Sequence, residues 1–176
     1  MERAEWLTRE VATLPWYAHY LAEAIEDPRV PPSGRNPCVA AAKYLASGGD
    51  LIPDSDPVIG LLDDLFVTLY ALSELMKHGG REAAGIYSVK PLPPSGRLAE
   101  RCREARENFP GFWNFVVKEV TAHIQEIARA VRKGPEVVAP LVADLRAFIQ
   151  AAAQRPVYPI DPRALELFLR HHQASK

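Results

Sequence analysis

Five aspartates lie within the most apolar stretch of the chain, residues 43–77, and they are Asp50, Asp54, Asp56, Asp63 and Asp64. A carboxylate in apolar surroundings is costly unless a cation, a metal ion or hydrogen-bond donors compensate its charge. Clustered carboxylate oxygens are also the ligands that Mg²⁺, Mn²⁺ and Ca²⁺ prefer. We therefore expect any chemistry of this protein to take place in this stretch.

The sequence around these acids predicts a central helix over residues 57–77. Asp56 followed by Pro57 is typical of a helix start, because an N-cap acceptor precedes a proline at the first helical position. Apolar residues then surround most of the helix circumference, which is typical of a core helix. Asp63 and Asp64 are expected in the middle of this helix, partly buried, where capping cannot compensate them.

A tight connection precedes the central helix and carries the other acids. Pro53 disfavours helical backbone at the residue before it, and Asp54 is a short acceptor suited to turns. Lys43 and Tyr44 lie at the C-terminal end of the preceding predicted helix, beside this connection. Lys43 is interpreted either as a counter-ion for Asp50 or Asp54, or as a cation that favours a helix C-terminus.

The order of these residues resembles the YkvA-like family, a bacterial domain of unknown function. The places of the family pattern are filled here by Tyr44, Ser47, Asp50-Leu51-Ile52-Pro53-Asp54, Pro57, Gly60 and Asp63-Asp64. The resemblance covers residues 43–77 only and implies a helical hairpin at about 36–78 around a shared acidic motif, with no known reaction. Ser55-Asp56 replaces an apolar pair of the family, so we expect no peripheral membrane contact.

Length, composition and net charge indicate which class of protein this is. The chain has 176 residues, of which 48% are hydrophobic and 24% charged, as is typical of one soluble globular domain over 1–176. A net charge of −1 argues against nucleic-acid binding. No signal peptide and no long uncharged apolar run are found, so a cytoplasmic protein without a transmembrane segment is expected. Cys38 and Cys102 are isolated and lack metal-site spacing.

Helical periodicity recurs along the chain, and no strand-like alternation is found. The prediction is an all-α single globular domain of six to eight helices packed around the central helix. A first helix covers residues 4–26, where Pro15 is expected to kink or divide it and Thr13 to cap the second part. A second helix is expected to begin with Asn36 as its cap and Pro37 at its first position. Further helices are predicted over 97–108, 112–133, 135–153 and from 162 onward.

Three further features of the sequence lie outside the acidic stretch. Trp16, Tyr17, His19 and Tyr20 form an aromatic cluster, interpreted as core or interface packing or else as a ligand-stacking platform. The helix over 97–108 has many acid–base pairs typical of a solvated face, and its narrow buried stripe consists of Leu98, Cys102 and Ala105. The string Pro-Pro-Ser-Gly-Arg occurs at 31–35 and 93–97, interpreted as two capping loops or else as anion sites.

Two functions remain open at this point. The first is a non-enzymatic protein-interaction or scaffold domain, acting with a protein partner or as a homo-oligomer, in which the aspartates are structural and no cofactor is needed. The alternative is a divalent-metal-binding protein or a Mg²⁺-dependent enzyme acting on a phosphate-containing substrate. The candidate binding residues are Lys43, Tyr44, Asp50, Asp54, Asp63 and Asp64. The candidate ligands for Mg²⁺, Mn²⁺ or Ca²⁺ are Asp50, Asp54, Asp63 and Asp64.

Overall fold

The chain folds as a set of packed α-helices. The structure, a computed structural model, describes residues 3–47, 59–131 and 138–173. Within these ranges the backbone forms eight α-helices and no β-strand, which confirms the all-α prediction. The helices are α1 (Arg3–Glu26), α2 (Pro32–Ser47), α3 (Leu62–His78), α4 (Gly80–Ser88), α5 (Leu98–Asn108), α6 (Pro110–Val131), α7 (Val138–Gln154) and α8 (Pro162–Gln173).

Helix α3 is the central element, as predicted. It packs against α1, α2, α4, α5 and α6, and every residue from Leu62 to Leu72 is buried. Phe66 in its second turn packs edge-on against Phe109, the C-cap residue of α5, and against Phe112 in the first turn of α6. The predicted start at residue 57 is not tested, because Asp56 and Pro57 lie outside the described residues. The described backbone shows a 3₁₀ turn at Ile59–Leu61 and α-helix only from Leu62.

Helix α1 is one helix, so Pro15 does not divide it, which was one of the two effects expected of this proline. The α-helical assignment runs from Arg3 to Glu26 with Pro15 inside it. The hydroxyl of Thr13 donates to the carbonyl of Arg9 at 2.9 Å, so Thr13 bonds back into the helix and does not cap a second part. Buried residues on both sides of Pro15 hold the two halves on the same core, and this burial outweighs the missing backbone hydrogen bond.

Helix α2 begins at Pro32, four residues before the predicted cap at Asn36. The reason is a close contact with the junction of α3 and α4. A Cβ atom on Gly34 would lie 2.6 Å from the Cα atom of Gly79, so only glycine permits this approach. Ser33 donates to the carbonyl of His78 at 2.9 Å beside this contact. These tertiary contacts fix helical backbone where the local pattern predicted a loop.

The second copy of Pro-Pro-Ser-Gly-Arg, at 93–97, adopts a different conformation. It forms a turn before α5, in which Gly96 has a φ of 132° that favours glycine. The carboxylate of Glu100 accepts the N–H of Arg97 at 3.2 Å, which caps α5. The capping-loop prediction is therefore correct for 93–97 and wrong for 31–35, which initiates a helix.

The last helices cover the sides of this core. Helix α7 packs against α1 and α2, whereas α8 packs against α6 and the start of α1. The buried stripe predicted for α5, Leu98, Cys102 and Ala105, is confirmed. Among the helices that the structure describes, none is long and apolar enough to cross a membrane.

Candidate functional site

The acidic segment brings Tyr44 and Asp63 into direct contact. Tyr44 lies in the last turn of α2, Asp63 lies in the first turn of α3, and both side chains are buried, Asp63 completely. The Tyr44 hydroxyl donates a short hydrogen bond to Oδ2 of Asp63. A hydrogen bond to an ionised acceptor is stronger than one between neutral groups. This bond joins the two helices of the predicted hairpin.

Asp63 and Asp64 lie at the start of α3 and not in its middle, which corrects the sequence prediction. The α-helix begins at Leu62, so both acids occupy its first turn. There the partial positive charge of the helix N-terminus stabilises a carboxylate, an effect that falls off within one turn. Thr68 donates to the backbone carbonyl of Asp64 at 2.7 Å. Helix position is thus one physical reason why so apolar a helix retains two aspartates.

The other sequence candidates are placed differently. Lys43 is exposed on α2, next to the buried Tyr44. Asp50 and Asp54 lie outside the described residues, so their pairing with Lys43 and their role as metal ligands stay predictions. Within the described part of the chain, no three His, Cys, Asp or Glu side chains are grouped so that they could hold a metal ion.

This segment also matches a known protein family. Residues 38–70 match the family model described as protein of unknown function (DUF1232). We call these residues, 38–70, the DUF1232 segment. The YkvA-like resemblance is thereby confirmed, since that name fits this family. No curated protein and no solved structure matches the chain. Because the match contains Tyr44, Asp63 and Asp64, the hydrogen-bonded pair belongs to the DUF1232 segment.

Outside the DUF1232 segment lies another buried carboxylate, which the sequence interpretation missed. Glu10 of α1 is 1% exposed. Its Oε2 accepts a short hydrogen bond from the Tyr17 hydroxyl, and its Oε1 lies 2.9 Å from Nε of Arg9 and 3.6 Å from Nε of Arg101. Burial, followed by the charge of Glu10, raises the pKa of Tyr17 well above its usual range, so the phenol remains a donor.

The network continues from Arg101 along α5. Arg101 donates to Glu104 at 2.8 Å and to the carbonyl of Ser95 at 2.7 Å, and the indole of Trp6 donates to Glu104 at 2.9 Å. Burial raises the pKa of Glu104, but the hydrogen bonds from Trp6 and Arg101 outweigh burial and lower it overall. The network links α1 to α5 through the Trp6–Glu104 hydrogen bond and the Glu10–Arg101 ion pair. It is therefore suited to holding two helices together.

One signal in the sequence could have revealed this network. Glu10 shares a helix face with Leu7, Leu14 and Tyr17, all of which are buried. A single charge inside an apolar stripe indicates a buried partner. The partner itself, Arg101, could not be identified because α5 carries several arginines of similar local context.

Neither cysteine is placed for nucleophilic chemistry. Cys38 is buried and free, and burial raises the pKa of its thiol to about 12. Cys102 is also buried and free, and its Sγ donates to the carbonyl of Leu69. A reactive cysteine needs an accessible thiolate, which neither environment favours.

The aromatic cluster of α1 is partly buried and partly exposed. Tyr17 and Tyr20 are buried, so the packing interpretation is confirmed for them. Trp16 is 48% exposed, and with Pro15, His19 and Ile149 of α7 it lines a largely apolar groove of about 280 Å³. We call these four residues the α1–α7 groove.

Proposed function

We propose that this domain acts by binding a protein partner through the α1–α7 groove, and that the partner is a second copy of the chain. The observation that carries this proposal is the half-exposed indole of Trp16 beside an apolar recess. Tryptophan is enriched among the few residues that dominate binding energy at protein interfaces. An indole at the edge of a recess is a suitable anchor for such an interface.

The shape of the groove supports a second copy as the occupant. A twofold interface uses the same patch on both subunits, so the patch must be complementary to itself. Trp16 supplies a half-exposed indole, and the same patch contains an apolar recess lined in part by Pro15 and Ile149. One patch therefore provides both halves of the contact.

The charges around the groove also support self-association. His19 lies 3.3 Å from Glu23, and Arg146 donates to Glu26 at 2.8 Å. Because these side chains are paired within one molecule, two copies can approach without bringing large uncompensated charges together.

In this proposal the DUF1232 segment supports the fold. The Tyr44–Asp63 bond ties α2 to α3, and α7 packs on α2 as well as on α1. The hairpin thus sets the surface on which α7 lies, and α7 supplies one wall of the groove.

Sedimentation velocity over a concentration series tests the proposal. We expect the wild-type protein to self-associate and Trp16→Glu to be monomeric, because a carboxylate cannot be buried unpaired in an apolar interface. Leu167→Glu is the matched control, since Leu167 is an apolar residue of α8 that is 69% exposed and lies outside the groove. A wild-type monomer at every concentration, or equal effects of both substitutions, would contradict the proposal.

A second candidate function is divalent-metal binding. It is favoured by two aspartates, Asp63 and Asp64, that are neighbours in sequence in the buried first turn of α3. Two carboxylates offer fewer ligands than Mg²⁺ or Ca²⁺ needs, so this candidate requires the predicted contribution of Asp50 and Asp54. Metal-dependent stabilisation separates the two candidates.

A further inference from the structure

Lys90, which follows α4, lies over two tyrosine rings. Its Nζ is 5.1 Å from the ring centroid of Tyr20 and 5.5 Å from that of Tyr87. It also forms an ion pair with the carboxylate of Glu23. Both ring distances lie within the range of cation–π attraction. Two helices, α1 and α4, thus surround one ammonium group with two aromatic faces and one negative charge.

The surroundings of this ammonium group are fixed in place. Both tyrosines are buried, while the Lys90 side chain is 24% exposed. The hydroxyl of Tyr20 donates to the carbonyl of Pro91 at 2.5 Å, which holds one ring in position. Burial raises the pKa of Tyr20 and of Tyr87, so both phenols stay neutral and their rings keep the quadrupole that attracts a cation.

The position of Lys90 also fixes the loop that it begins. The N–H of Leu98 donates to the carbonyl of Lys90 at 3.0 Å, and the N–H of Leu92 donates to the carbonyl of Gly96 at 3.1 Å. Leu92 is buried although its neighbours in the loop are exposed. Because these hydrogen bonds connect Lys90 to the rest of loop 89–97, contacts that hold the Lys90 side chain also hold this loop against α1 and α4.

We propose that Tyr20, Tyr87 and Glu23 form an ammonium-binding site whose resident ligand is the side chain of Lys90. The site selects a primary ammonium group at the end of an alkyl chain. By occupying it, Lys90 fastens loop 89–97 to α1 and α4. The site touches the α1–α7 groove at one point, because Glu23 also lies 3.3 Å from Nε2 of His19. Its test measures binding of an ammonium ion and not self-association, so the two proposals can fail separately.

Chemical rescue tests this site. The variant Lys90→Ala empties it, and n-butylammonium chloride supplies the missing ammonium group on an alkyl chain. We expect the melting temperature of Lys90→Ala to be lower than that of wild type and to rise in a saturable way with n-butylammonium. 1-Butanol, which has the alkyl chain but no charge, is expected to give no such rise.

Lys77→Ala is the matched control, because Lys77 also pairs with a glutamate, Glu74 at 3.7 Å, while no tyrosine ring contact is found for it among the described residues. Neither Lys77→Ala nor wild type should gain stability from n-butylammonium. The assignment is overturned if n-butylammonium fails to raise the melting temperature of Lys90→Ala, if 1-butanol raises it equally, or if the control responds equally.

A second variant keeps the test decisive if Lys90→Ala folds poorly. Lys90→Met retains an apolar side chain and removes only the charge. We expect hydrogen exchange at the Leu92 and Leu98 amides to be about tenfold faster than in wild type, since two cation–π contacts and an ion pair are lost. Unchanged exchange at these amides would show that packing alone holds the loop.

Discussion

Two buried carboxylates are each bonded by a tyrosine hydroxyl, but their surroundings differ. Asp63 accepts from Tyr44 across two helices and lies at the N-terminus of α3. Glu10 accepts from Tyr17 within one helix and lies against the guanidinium of Arg101 from α5. The first acid therefore has a helix terminus nearby, whereas the second depends on cationic side chains.

The difference shows two ways in which the cost of burying a charge can be compensated. The first turn of a helix offers positive partial charge to any acid placed there, so its compensation is local in sequence. An acid in the middle of a helix has no such field and needs a cation brought by tertiary packing. Stability should therefore respond to the loss of Arg101 near Glu10, and to the loss of either Tyr44 or the first-turn carboxylate itself at Asp63.

Removing the distant cation should have the largest effect. In Arg101→Met the Glu10 carboxylate stays buried but loses one of its two arginine neighbours, and Glu104 loses one of its two donors and keeps Trp6. We expect the free energy of unfolding to fall by about 3–5 kcal/mol, as when one partner of a buried pair is removed. Urea denaturation measures this change.

Arg103→Met is the control for that experiment, because Arg103 lies exposed on the same helix. It should change the free energy of unfolding by less than about 0.5 kcal/mol. Similar values for the two variants would show that α5 contributes only a solvated charged surface.

Asp63→Ala should have the next largest effect. The variant leaves the Tyr44 hydroxyl buried without its acceptor and removes a favourable charge from the first turn of α3. We expect a loss of about 1–3 kcal/mol in the free energy of unfolding. An unchanged value in urea denaturation would mean that the carboxylate is not held by the fold.

The two tyrosine hydroxyls should differ in a smaller but measurable way. Tyr44→Phe removes a donor from Asp63, and we expect a loss of about 1–2 kcal/mol. Tyr17→Phe should cost less, about 1 kcal/mol, because the Glu10 carboxylate keeps its arginine neighbours. Equal or reversed losses, measured by urea denaturation, would contradict the contrast between the two acids.

The smallest expected effect is on the pH dependence of stability. The net lowering of the pKa of Glu104 means that the folded state favours its ionised form. Its contribution to stability is therefore complete above the unfolded pKa, about 4.3, and is lost as the pH falls through the folded value. We expect Glu104→Gln to lose less stability than wild type between about pH 5 and pH 3. Equal slopes in a pH series of denaturation midpoints would argue against this ion pair.

Much of the fold could be predicted because its signals are local. Apolar periodicity indicated the central helix and the buried stripe of α5 at Leu98, Cys102 and Ala105. The start of α2 could not be predicted, because the contact between Gly34 and Gly79 joins distant parts of the chain. The two copies of Pro-Pro-Ser-Gly-Arg also show that distant contacts matter. The same five residues begin a helix at 31–35 and form a turn at 93–97.

The candidate site could be predicted only in part, for the same reason. The YkvA-like pattern singled out Tyr44 and Asp63 because they are near each other in sequence and at fixed spacing. Their hydrogen bond and the position of Asp63 in the first turn depend on where the α-helix begins, and in the described residues it begins at Leu62, after a 3₁₀ turn at Ile59–Leu61. Glu10 and Arg101 are 91 residues apart (101 minus 10), so no local pattern connects them.

The most direct test of this account asks whether Asp63 serves the fold or a metal ion. Thermal melts of wild type and Asp63→Ala are recorded without divalent ions and with millimolar Mg²⁺, Mn²⁺ or Ca²⁺. We predict that the variant melts at a lower temperature without metal, and that the ions shift both proteins equally. If Asp63→Ala is as stable as wild type or more stable without metal, and loses a stabilisation that the ions give wild type, then Asp63 is a metal ligand and the structural account is contradicted.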